Sequence, residues 1–307
     1  MPVTLAPPDS LVISAYYSVI DFLQARGWTP YPWQGFVFNL PRTPVMVVST
    51  RQAGKTWLLS ALAYYHARRH SQSMGAVVCP DQDKAKRVIE RVEVQKIADT
   101  GSPPFLTDNS EEKGLWNGSI IVALPGTLKG MVSRTVNFLA FDEANLVPRM
   151  LYGAATPTQA AVLEPWTYAT SSAWWKSGWF WDDWDKGTGG WTRVLVRAKW
   201  DIVGRKIVPY LPEAEFKAIW AQKGIHAFYS DTPTKEYLEL ELTRHPENTI
   251  RQQYFCEFQD VQGAVFSDEW ITAAFTSAVK PLHDKAAPID KSVKKLGLLD
   301  GSSEGVK

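Results

Sequence analysis

Hydrophobic positions along the chain fall into two alternating textures. Over residues 11–26, Leu11, Ala15, Val19, Phe22 and Leu23 recur at helical spacing, and Gly27 stops that helix. A stiff, ring-rich turn follows, with Trp28, Tyr31 and Trp33 around Pro30 and Pro32. The second texture is short and continuously apolar. Runs at 44–48, 75–79, 119–124, 136–141 and 166–170 read as buried strands. Helical segments are expected between the first of them, over 55–70 and from an Asp81 cap to about residue 98. Strands alternating with helices at this spacing predict an α/β fold, a mostly parallel twisted sheet flanked by helices.

The texture changes near residue 201. Helices are expected over 213–222 and 235–244, set off by Pro212, Pro233 and Pro246. This divides the chain into a core over 1–200, a small helical lid over 201–262, and a linker with a mobile, Lys-rich tail over 263–307.

Composition narrows the classes. The chain has 307 residues, 45% hydrophobic and 21% charged, enough to bury a core without disulfides. Lys plus Arg is 33 against 32 acids, a net charge of +1, which excludes a polycation or an acidic tail protein but not a local basic patch. Two cysteines, Cys79 and Cys256, favour a reducing compartment. No apolar run is long enough to span a bilayer, and residues 1–10 carry three prolines and no basic stretch, so a soluble intracellular protein without a signal peptide is expected.

The candidate chemistry begins between the first strand and its helix. Ser49, Thr50, Arg51, Gln52, Ala53, Gly54, Lys55 and Thr56 stand where a phosphate-binding loop must be. Backbone N–H groups and the helix N-terminus would cradle an anion, Lys55 would reach the β and γ oxygens, and Thr56 would place its hydroxyl on Mg²⁺. Ser49 stands where the first glycine of the common motif is expected. Downstream, the apolar strand ending at Phe141 runs into two carboxylates. Asp142 is the candidate for holding Mg²⁺, and Glu143 for orienting the attacking water or taking its proton.

These residues resemble the ATPase domain of the large terminase subunit of tailed bacteriophages, a DNA-packaging motor. The loop carries Arg51 and Gln52 ahead of Ala53, Gly54, Lys55 and Thr56, similar to the terminase variant. Tyr31, Pro32, Trp33 and Gln34 resemble its adenine-recognising segment, with Gln34 as the base-reading amide. The Gly130–Arg134 stretch resembles the family's Gly/Arg segment, Thr170, Ser171 and Ser172 its coupling motif, and the region from Tyr254 to Phe266 the close of its ATPase domain.

The resemblance implies a P-loop, RecA/ASCE-like fold with a small helical lid. It implies ATP hydrolysis with Mg²⁺, coupled to translocation of double-stranded DNA into a procapsid. The implied partners are duplex DNA, a portal protein and a small terminase subunit. The chain would act in bacterial host cytoplasm as a homo-oligomeric ring when assembled, with a monomer compatible with the isolated chain. Arg134 is the expected arginine finger acting on a neighbouring subunit, with Lys129 and Arg149 as competitors. The family's nuclease domain would start near Asp300, and no nuclease activity is expected from these residues. The alternatives are a helicase-like, nucleic-acid-dependent ATPase and a nucleotide-binding assembly subunit without turnover.

The 14 tryptophans remain. Trp174, Trp175, Trp179, Trp181, Trp184 and Trp191 surround Asp182, Asp183 and Asp185. Aspartates repel phosphate and duplex DNA hides its base faces, so a local aromatic core or a subunit contact is expected there rather than a base-stacking platform.

Overall fold

The structure, a computed structural model, describes residues 18–40, 43–99, 101–124 and 135–260. The first part of the expected N-terminal helix, with Leu11 and Ala15, and the expected linker and tail over 263–307 lie outside the described residues. Two short helices open the description, α1 (Val19–Gln24) and α2 (Pro32–Phe38). Then come β1 (Val45–Ser49), α3 (Lys55–Arg69), β2 (Met74–Val78) and α4 (Gln82–Ala98). Asp81 caps α4 by accepting from the Lys84 amide. Short strands β3 (Thr107–Asp108) and β4 (Glu112–Gly114) precede β5 (Ile120–Leu124) and β6 (Phe138–Asp142). The chain continues through α5 (Arg149–Ala155), β7 (Trp166–Ser171), α6 (Gly178–Lys186) and β8 (Thr192–Ala198). A hairpin, β9 (Trp200–Val203) and β10 (Lys206–Pro209), leads to α7 (Glu213–Ala221) and β11 (Ile225–Ser230), and the order closes with α8 (Lys235–Arg244) and α9 (Glu247–Tyr254). None of the described helices is long and apolar enough to cross a membrane.

Nine strands form one sheet in the order β11-β8-β1-β7-β6-β2-β5-β4-β3. The pairings from β11 to β5 are parallel, and β4 and β3 add an antiparallel edge. Every residue of β1 is buried, yet its side chains still alternate. Val45 and Val47 pack with α1 to α4 on one face, and Met46 and Val48 pack with α5 to α7 on the other. Burial on both faces explains why these strands read as continuous apolar runs.

The strand order positions the site. β7 lies between β1 and β6, pairing Val47 with Thr170 and Asp142 with Thr170. The C-terminal ends of the phosphate-loop strand and the acidic strand therefore flank Thr170, where open α/β sheets place their ligands.

Two expectations are corrected. The boundary at residue 200 falls inside the sheet, because β11, within the segment expected to be a separate lid, pairs with β8 along its whole length. A small core of its own exists there, but it is assembled from the β9–β10 hairpin with α8 and α9: Ile202, Ile207, Leu238, Leu242, Ile250, Tyr254 and Phe255. The second correction is β8, which pairs directly with β1 and stood outside the expected strands. Its polar residues Arg193 and Arg197 interrupt the apolar run, and their guanidiniums are satisfied by main-chain carbonyls.

The tryptophan-rich stretch forms a local core. Trp179 and Trp184 are buried, and Trp179 stacks on Tyr152 at 3.9 Å and donates from Nε1 to the Val147 carbonyl at 2.9 Å. The aspartates are acceptors within it: Asp183 receives Trp191 Nε1 at 3.1 Å, and Asp182 pairs with Arg149.

Candidate nucleotide site

Thr50 leaves β1 with its amide on the Val196 carbonyl at 2.8 Å, and the loop then turns into α3. The turn needs positive φ at two positions, Gln52 (61°) and Gly54 (94°). Ser49 is not one of them: it is the last residue of β1, buried, with its hydroxyl on the Thr50 carbonyl. A serine is therefore accommodated where the common motif has glycine. Gly54 is different, because a Cβ there would lie 2.9 Å from Gln34 Nε2 in addition to the strain of its φ.

Gln34 is buried, 2% exposed, on α2. Its Oε1 accepts from the Tyr31 amide at 2.9 Å and its Nε2 donates to the Gly54 carbonyl at 3.3 Å. The amide expected to face a base is thus engaged with protein at both ends, and it braces the phosphate loop. Arg51, expected on phosphate or a carboxylate, reaches α9 instead. Its amide donates to the Gln253 carbonyl at 3.0 Å and its Nη1 to Gln253 Oε1 at 3.2 Å.

The remaining expected residues converge. Lys55 is 8% exposed, and its Nζ donates to Ser172 Oγ at 3.0 Å. Thr56 Oγ1 donates to Asp142 Oδ2 at 3.1 Å, and Thr170 Oγ1 to Asp142 Oδ1 at 2.8 Å. The Glu143 amide also donates to Asp142 Oδ1, at 3.0 Å. Ser171 Oγ accepts from the Asn145 amide at 3.3 Å, which anchors the turn after Glu143. Burial pushes the Asp142 carboxyl above its usual range and the neighbouring Glu143 adds to this, while Lys55, Thr170 and Thr56 pull it down. A buried carboxylate beside a threonine hydroxyl is a hard-oxygen donor pair of the kind that suits Mg²⁺ together with phosphate oxygens and water.

Glu143 follows with φ 51°, a left-handed conformation uncommon for a residue other than glycine. Its Oε2 accepts from Trp174 Nε1 at 3.1 Å.

A cleft of about 590 Å³ opens over the loop, lined by Arg51 to Trp57, Arg91, Glu143, Ser172, Tyr237 and Tyr254. A second of about 700 Å³ shares Arg51, Thr56, Arg91 and Glu143 and adds Asp142 with Lys84 and Arg87 of α4. Volumes of this size suit a nucleotide. Arg91, Trp174, Tyr237, Tyr254 and Gln253 were not among the expected site residues. They come from elements remote in sequence, and only the helical spacing of Lys84, Arg87 and Arg91 was visible as a pattern. Arg149, a competitor for the finger, lies on α5 paired with Asp182. Arg134 and Lys129 lie outside the described residues, as do Gly263, Phe266 and Asp300.

A phosphate loop on β1, an acidic strand β6 separated from it by β7, and hydroxyls at the end of that middle strand define a P-loop NTPase fold of the RecA/ASCE type. Comparison with solved structures shows which proteins share this fold. The fold matches the ATPase domain of the large terminase of Thermus phage P74-26, with TM-score 0.55 and 18% identity, over 83% of this chain and 100% of that one. It matches the HK97 bacteriophage large terminase with TM-score 0.57 and 17% identity, over 78% of this chain and 55% of that one. The large terminase of a thermophilic bacteriophage, in complex with ADP, matches with TM-score 0.50 and 8% identity, over 82% of this chain and 54% of that one. The chain thus spans about half the length of these last two proteins. No protein-family model matches the sequence, and no curated protein matches it.

Proposed function

We propose that the chain is the ATP-hydrolysing motor domain of a bacteriophage large terminase and couples hydrolysis to movement of double-stranded DNA into a procapsid. The observation that carries the reading is the convergence of Lys55, Thr56 and Asp142, with Glu143 beside them, at the ends of β1 and β6. The terminase fold of the neighbours supports the motor assignment, and the thermophilic phage terminase in complex with ADP supports a nucleotide as the ligand.

Bound Mg-ATP would supply the phosphoanhydride and a cation to offset its charge. Backbone N–H groups of the loop and Lys55 would hold the phosphates. Thr56 and Asp142 would hold the cation. Glu143 would orient the attacking water and accept its proton, and Ser172, already on Lys55, would sense the terminal phosphate. The small core built from β9, β10, α8 and α9 would be the part that moves, since α9 touches the loop through Gln253. Arg134 acting on a neighbour's nucleotide in a ring, with portal and small terminase subunit as partners, belongs to the same reading.

Steady-state ATP hydrolysis by wild type and Glu143→Gln, with and without duplex DNA, tests it. Turnover that is lost in the variant while nucleotide binding persists supports the motor; equal turnover in both removes Glu143 from its role.

A further inference from the structure

Glu143 has one anchor for its side chain among the described residues, the indole of Trp174. We infer that Trp174 is a positioning residue for Glu143. Its N–H sets the carboxylate, and its carbonyl makes that setting depend on α9. The inference rests on the reading of Glu143 given above.

Three observations carry it. First, Trp174 Nε1 donates to Glu143 Oε2 at 3.1 Å, across 31 residues of sequence. A glutamate on a turn, half-exposed, otherwise samples many rotamers, and orientation of the reacting group is a large part of rate. Second, the indole stands apart from the neighbouring tryptophans. Trp179 and Trp184 belong to the hydrophobic core on the same face of the sheet, whereas Trp174 belongs to none of the described core clusters or ring pairs. Third, the Trp174 carbonyl is held twice, by Gln252 Nε2 at 3.0 Å and by the Gln259 amide at 3.0 Å. Gln252 is buried on α9, immediately before the Gln253 that grips Arg51. Successive residues of one helix therefore touch both sides of the cleft: the phosphate loop through Arg51, and the water-orienting acid through Trp174.

A shift of α9 that frees the loop also moves the group that aims Glu143. Hydrolysis is thereby tied to one position of α9 without any contact between α9 and Glu143 itself.

Trp174→Phe keeps the ring and removes the donor. The expected result is a fall in kcat of about 10- to 100-fold with KM and nucleotide affinity unchanged. In a Glu143→Asp background, whose shorter carboxylate does not reach the indole, single-turnover phosphate release should fall no further on adding Trp174→Phe. A thermal unfolding scan of each variant separates misfolding from misorientation, and Gln252→Ala, which leaves the indole in place but loosens its carbonyl, should lower kcat in the same sense by a smaller factor. Full or increased kcat in Trp174→Phe, or equal losses in the wild-type and Glu143→Asp backgrounds, overturns the inference. Turnover abolished by Glu143→Gln but untouched by Trp174→Phe refutes only the positioning role. Turnover indifferent to Glu143→Gln refutes the reading beneath it.

Discussion

Thr170 donates its hydroxyl to Asp142 Oδ1 at 2.8 Å, joining the strand between the two halves of the site to the buried carboxylate. Asp142 carries a stability cost for its place. Its carboxyl is held above the usual value of 3.8, chiefly by burial. A raised carboxyl favours the protonated form in the folded state, so its contribution is most favourable at pH below 3.8 and is lost as pH rises through the folded value. At neutral pH and without Mg²⁺, Asp142→Asn should therefore raise the urea midpoint, while Mg²⁺-dependent nucleotide binding is lost.

Thr170→Val keeps shape and removes the donor. A hydrogen bond to a buried charged group contributes about 1.5–3 kcal/mol. The variant should lose that much in urea unfolding at neutral pH, and an unchanged midpoint would show that water replaces the hydroxyl.

Gln34 braces Gly54 from α2 with both ends of its amide in use. Gln34→Ala should raise KM for ATP and for GTP by a similar factor, about 5- to 30-fold, the equivalent of about one to two kcal/mol of loop ordering. Selective loss of discrimination between the two nucleotides would instead assign base reading to the amide.

Arg51 and Gln253 share two hydrogen bonds, one through main chain and one through side chains. In a double-mutant cycle on nucleotide affinity, Arg51→Ala and Gln253→Ala should couple by about 0.5–1.5 kcal/mol. Additive effects would mean that the loop and α9 work independently.

Both thiols are buried, and burial pushes Cys256 up to about 12 and Cys79 up as well. Neither should react with a thiol reagent at pH 8 in the native protein, and both should react on unfolding. Folded values above the ordinary 9.0 make their contribution complete below pH 9 and lost as pH rises toward 12, so stability should decline over that window.

The sheet was readable where strands are apolar on both faces: 44–48, 75–79, 119–124, 136–141 and 166–170 all lie on or within two residues of observed strands. β8 was hidden because Arg193 and Arg197 find carbonyl partners that only the folded chain supplies. β11 was hidden because its alternating pattern, with His226 exposed, marks an edge strand and resembles a loop in an isolated reading. In the site, contiguous residues from Ser49 to Thr56 and the pair Asp142 and Glu143 announce themselves by type and order. Trp174, Arg91 and Gln253 do not, since their relevance comes from a hydrogen bond or a shared cleft wall between segments far apart in sequence.

Under the proposed function Glu143 drives hydrolysis, beside Thr56 and Asp142, which would hold Mg²⁺. Phosphate release by wild type and Glu143→Gln, each with duplex DNA and portal, decides the assignment when nucleotide binding is followed in both. Wild type should turn over and be stimulated by its partners. The variant should turn over at least about 100-fold more slowly with equal nucleotide affinity. Wild-type protein that binds nucleotide but releases no phosphate under any of these conditions would contradict the assignment.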